Sequence, residues 1–308
     1  MPIIPGALRR AFQNAGPPIS GSTAGTQRTG AEPGDMLWDT TNGVAYINEG
    51  AAANPYWTPA GFDQHALFGV HSDFRDNVGV AVGGSAASVI LAGSGVRVFG
   101  DGHAENDSDA VAQSAGEGGM GLMRLTTTNE AAHIIALGMP AGVMQPDQHG
   151  TLVVDVVLTN VTNILTRAVF IGFVGAAIDA FVAPVTIATT TATLVQDDVS
   201  GLMMDSRATD ADALWGVHNK SNAAATQDLT ADGDTGPTNM AAAATEQRFR
   251  TEIASNGNMT CFVNKTQVYT KAISLDVDEE CSPVVYIEST DAAVKTADVR
   301  QIAMWATR

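Results

Sequence analysis

Arg248-Phe249-Arg250-Thr251-Glu252-Ile253, followed by Asn256-Gly257 and then Met259-Thr260-Cys261-Phe262-Val263, is the stretch that decides the fold. Its first six residues alternate strictly. Phe249, Thr251 and Ile253 fall on one side and Arg248, Arg250 and Glu252 on the other, the period of two that belongs to a strand. Asn256-Gly257 tolerates positive φ at both positions and turns the chain back into a second run. Working outward, Thr151 to Leu158 and Arg167 to Val174 are dense in β-branched and aromatic residues, Leu202 to Asp205 and Ala213 to His218 read as a further antiparallel pair, and Pro283 to Glu288 and Val299 to Trp305 close the sequence as short strands. Helical periodicity is weak throughout. Many short strands separated by turns predict an all-β chain, an antiparallel β-sandwich of the jelly-roll type.

The N-terminal part reads differently. Residues 1–34 are rich in Pro, Gly, Ser and Thr and predict an extended arm, with Ala7 to Gln13 offering at most two helical turns. Within residues 35–61, Met36-Leu37-Trp38-Asp39 and Val44-Ala45-Tyr46-Ile47 flank Asn42-Gly43 as a hairpin, and Tyr56-Trp57-Thr58 adds a third short run. A meander of this size is too small to stand alone. Residues 62–308 form the sandwich body.

Composition narrows the function. The formal net charge is −17 and only 16% of residues are charged, against about a quarter in ordinary soluble domains. Phosphate binding needs clustered Lys and Arg, so nucleic acid is not an expected partner. Lysine is confined to Lys220, Lys265, Lys271 and Lys295, and so low a surface charge points to burial against neighbouring subunits. Residues 1–31 hold Arg9, Arg10 and Arg28 and no acid, a basic arm on an acidic body. Cys261 and Cys281 stand without a CxxC pair, which leaves buried free thiols or a single bridge. There is no apolar run long enough to span a membrane, and the opening residues lack a secretory leader pattern, so synthesis in a cytoplasm is expected.

The order of the C-terminal elements, Phe249 to Ile253, Cys261-Phe262-Val263-Asn264-Lys265, Ser282 to Glu288 and Lys295-Thr296-Ala297-Asp298-Val299, resembles a concanavalin-like (lectin/glucanase) jelly-roll module common in tailed-phage structural proteins. Gly119 to Thr128, Phe170 to Phe173 and Ala213 to Val217 fit the same module, so the resemblance covers roughly residues 62–308. Separately, Pro33-Gly34-Asp35-Met36-Leu37-Trp38-Asp39 through Tyr56-Trp57-Thr58-Pro59 resembles a hairpin near the start of many phage head and tail appendage proteins. The resemblance implies a virion protein made in the host cytoplasm: a capsid decoration (cement) protein on the capsid surface, a head fibre or a tail appendage. Its implied partners are the major capsid protein and further copies of itself, as a homotrimer or other homo-oligomer. A carbohydrate-binding role against a host surface glycan is the alternative. Arg9, Arg10, Phe12, Arg28, Trp38, Tyr46 and Trp57 are the residues expected to meet the capsid or a neighbouring subunit.

No catalytic pattern emerges. Retaining jelly-roll glucanases place paired acids in an E-x-D-x-x-E run, which is missing here, so no enzymatic activity is expected. The six histidines are scattered with no HExxH. Asp101, Asp107 and Asp109 lie in an oxygen-rich segment that reads either as a solvated turn or as a weak Ca²⁺ site without EF-hand order, and Asp228, Asp232 and Asp234 read the same way. Trp38, Trp57, Trp215 and Trp305 suit packing or an aromatic sugar platform.

Overall fold

The computed structural model describes residues 10–60, 67–72, 80–82, 88–90, 96–99, 110–114, 122–127, 131–139, 144–161, 164–175, 183–196, 198–220, 224–242 and 244–307. Arg9 and the acidic segment holding Asp101, Asp107 and Asp109 lie outside the described residues. The described chain falls into two units, one of residues 10–68 with 265–267 and Thr307, the other of residues 69–264 with 268–306.

In the first unit, β1 (Ala11–Asn14), β2 (Met36–Asp39), β3 (Val44–Asn48) and β4 (Trp57–Pro59) form a four-stranded sheet in that order. β1 runs parallel to β2 and the other pairs are antiparallel. The segment whose local composition suggested helical turns is therefore a strand from Ala11 onward. Pairing with β2 supplies what local propensity does not, and Asp35 fixes the entry by accepting from Arg10 N (2.9 Å) and Arg10 Nε (3.1 Å). The fourth strand gives the meander a core of its own: Ala31, Leu37, Val44, Tyr46 and Trp57, with Phe12 packed against it. Asp39, fully buried, organises the Asn42-Gly43 turn by accepting from the backbone of Gly16, Thr41 and Asn42. Gly43 sits at φ +74°, where a side chain would be strained.

The second unit is the sandwich. Its strands in chain order begin with β5 (Leu67–Ser72), β6 (Val80–Val82), β7 (Ser88–Ile90), β8 (Arg97–Phe99), β9 (Ala110–Ser114), β10 (Met123–Thr126) and β11 (Ile134–Gly138). A short helix α1 (Pro146–His149) precedes β12 (Leu152–Asn160) and β13 (Arg167–Val174). Next come β14 (Val185–Ala188), β15 (Thr191–Leu194), β16 (Val199–Asp205), β17 (Ala213–Asn219) and β18 (Ala225–Asp228). The chain closes with α2 (Leu229–Asp232), β19 (Asp234–Asn239), β20 (Glu246–Ile253), β21 (Met259–Val263), β22 (Thr266–Lys271), β23 (Ser282–Ser289) and β24 (Thr296–Thr307). Among the described residues these make one sheet in the order β22-β21-β20-β12-β24-β10-β9-β6, with β5 on β24, and a second in the order β19-β17-β16-β13-β23-β11-β8-β7. β14, β15 and β18 make a third, small sheet. The antiparallel β-sandwich expected from the alternation is the observed fold.

The two large sheets face each other through the even-spaced set on β20. Thr251 Oγ1, fully buried, donates to Ile171 O on β13 at 2.9 Å. The opposite face of β13 is buried too. Ala168, Phe170 and Val174, with Tyr286, Met203, Trp215 and Val217, pack against Val185, Ile187, Ala192, Leu194 and Leu229 from the small sheet and α2. Phe170 stacks on Tyr286 with ring centroids 5.4 Å apart. Gly201 leaves room for that stack, since a Cβ there would come within 2.9 Å of the Phe170 ring. Asp205, fully buried, ties the small sheet down by accepting from Ile187 N (3.0 Å) while pairing with Arg207 (2.7 Å).

The charged side of β20 is also buried. Register places Arg250 opposite Asp155 of β12, and Arg250, fully buried, pairs with Asp155 (2.6 Å) and Glu252 (3.1 Å) while its guanidinium lies 5.3 Å from the Trp305 ring centroid. Arg248 binds the same Asp155 at 2.8 Å. Both cysteines are buried and free, which settles the alternatives that spacing left open. Removing one member of a buried charge group strands the others, at a cost of about 3–5 kcal/mol. Asp155→Ala is therefore expected to lower unfolding stability in urea by about that amount. Arg300→Ala, which removes an exposed pair with Glu246, should cost under about 1 kcal/mol. Equal effects of the two would contradict this reading.

Candidate functional site

On β2 the pleat sends Leu37 and Asp39 inward and Met36 and Trp38 outward, 40% and 48% exposed. Register puts Ile47 beside Met36 and Ala45 beside Trp38 on β3, and Ala11 and Gln13 beside them on β1. The outer face of this sheet thus collects Met36, Trp38, Ile47, Ala45 and Ala11. An exposed tryptophan next to an exposed methionine on a rigid sheet is the composition of a protein-binding hot spot.

The expected contact residues separate on the structure. Trp38 lies on the open face. Tyr46 and Trp57 belong to the unit's core, and Trp57 Nε1 donates to Thr26 O at 3.0 Å. Arg10 pairs with Asp35 and lies 5.7 Å over the half-buried Phe12 ring. Burial pushes the Asp35 carboxyl up, but the amides of Glu32 and Arg10 and the Arg10 charge together hold it below its ordinary value. Arg28 is exposed and donates to Ser22 O at 2.9 Å. Exposed Met36 and half-buried Ile47 were missed, although the alternation that places Trp38 on the open face places them there too.

A second site lies wholly in the sandwich unit. A cavity of about 530 Å³ is lined by Leu194, His218, Lys220, Asp228, Lys271 and Ile273, with Asp232 and neighbouring residues of β17 and β18. Asp232 Oδ2 meets His218 Nε2 (3.1 Å) and Lys271 Nζ (2.5 Å), and Tyr269 OH donates to Asp232 O at 2.9 Å. The Tyr269 ring lies on Gly216, where a Cβ would overlap it. Asp228 caps α2 by accepting from Thr230 N at 3.1 Å. Asp228 and Asp232, two of the three carboxylates that spacing offered as a cation loop, are thus separately employed. Among the described residues no group of three or more His, Cys, Asp or Glu is placed to hold a metal ion.

Ile273 at the cavity lip is unusual. It is 53% exposed and holds φ +49°, the left-handed region, which costs a β-branched residue about 1–3 kcal/mol. Its amide donates to Asn258 Oδ1 at 2.9 Å, which pins the conformation.

Burial lowers the His218 imidazole below its usual value; Lys271 adds to this and Asp232 opposes it, while Asp232 itself is held low by Lys271 and His218 against the upward pull of burial. His218 therefore binds its proton less readily folded than unfolded, where it titrates near about 6.5. Below that pH the unfolded state takes up the proton first, so stability falls as pH drops from 7 toward 5. The melting temperature of the wild type should decline more steeply over that range than that of His218→Gln, and identical slopes would contradict the assignment.

No known protein-family model matches the sequence, and a comparison with curated proteins finds no match. Among solved structures, the protein of unknown function SO2946 from Shewanella oneidensis MR-1 is similar at TM-score 0.45 and 14% identity, over 79% of this chain and 87% of that one. The Emp47p carbohydrate recognition domain is similar at TM-score 0.45 and 10% identity, over 80% of this chain and 100% of that one. The cellulose induced protein Cip1 gives TM-score 0.39 and 14% identity, over 80% and 93%. Likeness at this level carries no function across to this chain.

Proposed function

We propose that this chain is a non-catalytic surface protein of a tailed-phage virion, docked on the major capsid protein through the outer face of the β1–β4 sheet and displaying the jelly roll. The observation that carries the reading is the exposed pair Met36 and Trp38, with half-buried Ile47 beside Met36, seated on a small sheet with its own core. Three further features support it: the resemblance of residues 33–59 to phage appendage hairpins, the sparse surface charge, and an acid-free stretch over residues 1–31 suited to an acidic partner face. Displayed on such a shell, the sandwich needs no chemistry of its own.

Capsid shells lacking the protein should co-sediment with it. Trp38→Ser is expected to weaken that binding by roughly tenfold or more, with an unchanged circular dichroism spectrum, because the side chain leaves the core intact. Ile19→Ser, at another exposed apolar position of the same unit, should have little effect. Undiminished shell binding by Trp38→Ser would overturn the proposal, as would Trp38-dependent self-association with no affinity for shells.

A further inference from the structure

We infer that the outward edge of β1 takes up an extended strand of the shell protein, so that attachment proceeds by strand addition. The inference rests on the attachment reading above and names how that sheet is engaged.

The two edges of the four-stranded sheet are built differently. Met36 N donates to Arg10 O at 2.9 Å and Thr40 N to Asn14 O at 2.8 Å. The backbone groups of Arg10, Phe12 and Asn14 therefore turn toward β2, and those of Ala11 and Gln13 turn away from it. Ala11 and Gln13 are exposed, and among the described residues their outward N–H and C=O groups meet no partner. The β4 edge is closed. Tyr56 O accepts from Glu49 N and Ala60 N donates to Ala45 O, which leaves Trp57 and Pro59 facing out. Trp57 N donates to Ser20 Oγ at 3.0 Å, and Pro59 has no N–H to offer. An open edge is a template for pairing, which proteins ordinarily blunt with Pro or charge. β1, Ala-Phe-Gln-Asn, carries neither.

This edge is also preformed. Asp35 holds its start through Arg10 N, Thr40 Oγ1 donates to Asn14 O at its end (3.1 Å), and Phe12 packs on the core of the unit. A strand fixed in advance is paired at little further cost in conformational entropy. The occupant follows from what adjoins the edge. Ala11 and Gln13 lie on the same outer face as Met36 and Trp38, so a strand added to β1 prolongs that face and presents apolar side chains to it at alternate positions. The half-exposed Arg10 beside the edge, in a stretch without acids, favours a strand free of basic residues.

The test uses the full chain and capsid shells lacking it. Ala11→Pro removes an outward N–H while keeping the pairing with β2, and should weaken co-sedimentation about tenfold or more with an unchanged melting temperature. Ala11→Ser, which keeps the N–H, should bind within about twofold of the wild type. Gln13→Pro repeats the test at the other outward position. In the unsubstituted chain, the Ala11 and Gln13 amides should exchange freely when unbound and slow by about a hundredfold or more on shells. Undiminished binding by both proline variants, with Trp38→Ser still impaired, would overturn strand addition and leave the attachment reading standing; undiminished binding by all three would overturn both. Protection of the two amides in the unbound monomer, or self-association that Ala11→Pro abolishes, would show the edge taken by this chain itself and overturn the inference.

Discussion

A sheet that is apolar on both faces governs this structure. β13 reads Arg-Ala-Val-Phe-Ile-Gly-Phe-Val and all eight residues are buried, as are all eight of β23. Burial of each large apolar side chain is worth about 1.5–3 kcal/mol, so neither face can be left open to water. The nine-stranded sheet closes one face. The small β14-β15-β18 sheet and α2 close the other, anchored by Asp205 at Ile187 N. What would otherwise be an open sheet surface is a second core. The cavity beside His218 forms where the small sheet and α2 meet the end of β17.

The nine-stranded sheet solves a different problem. Its far face carries Arg250, Asp155, Arg248 and Glu252 among buried neighbours, where isolated charges would be prohibitive. They are tolerated because they form one group: Asp155 accepts from two arginines, and Arg250 reaches Glu252 and lies over Trp305. Such a group stabilises little relative to apolar residues of the same shape, but it penalises register errors strongly. A shift of β20 by one residue would turn Arg250 toward the inner core and Phe249 away from it.

Much of this was legible in the sequence because strand alternation is local. Residues 248–263 read directly as two strands and a turn, and Asn42-Gly43 marked its hairpin. The strand at Ala11–Asn14 was not legible, because it is made by pairing with residues 25 positions away and has no pattern of its own. The small sheet was equally hidden, since Val185 to Leu194 is a run of Thr and Ala whose role depends on covering Phe170 and Tyr286. Trp38 and Trp57 sit in similar short runs; only their pairing makes one a surface residue and the other core. The cavity was out of reach, because Leu194, His218, Asp232 and Ile273 meet only in the folded chain. His218 looked like a scattered histidine and Asp232 like one member of an acidic loop. Ile273 carries no sequence signal, since its left-handed backbone angle is set by the folded chain.

The proposal that the β1–β4 sheet is the attachment element and the sandwich is what it displays is tested most directly by cryo-electron microscopy of the assembled particle at side-chain resolution. The expected reconstruction places Trp38 and Met36 against the capsid protein, with the β17–β18 rim open to solvent. A particle in which the β1–β4 sheet points into solvent, with Trp38 touching nothing, would contradict it.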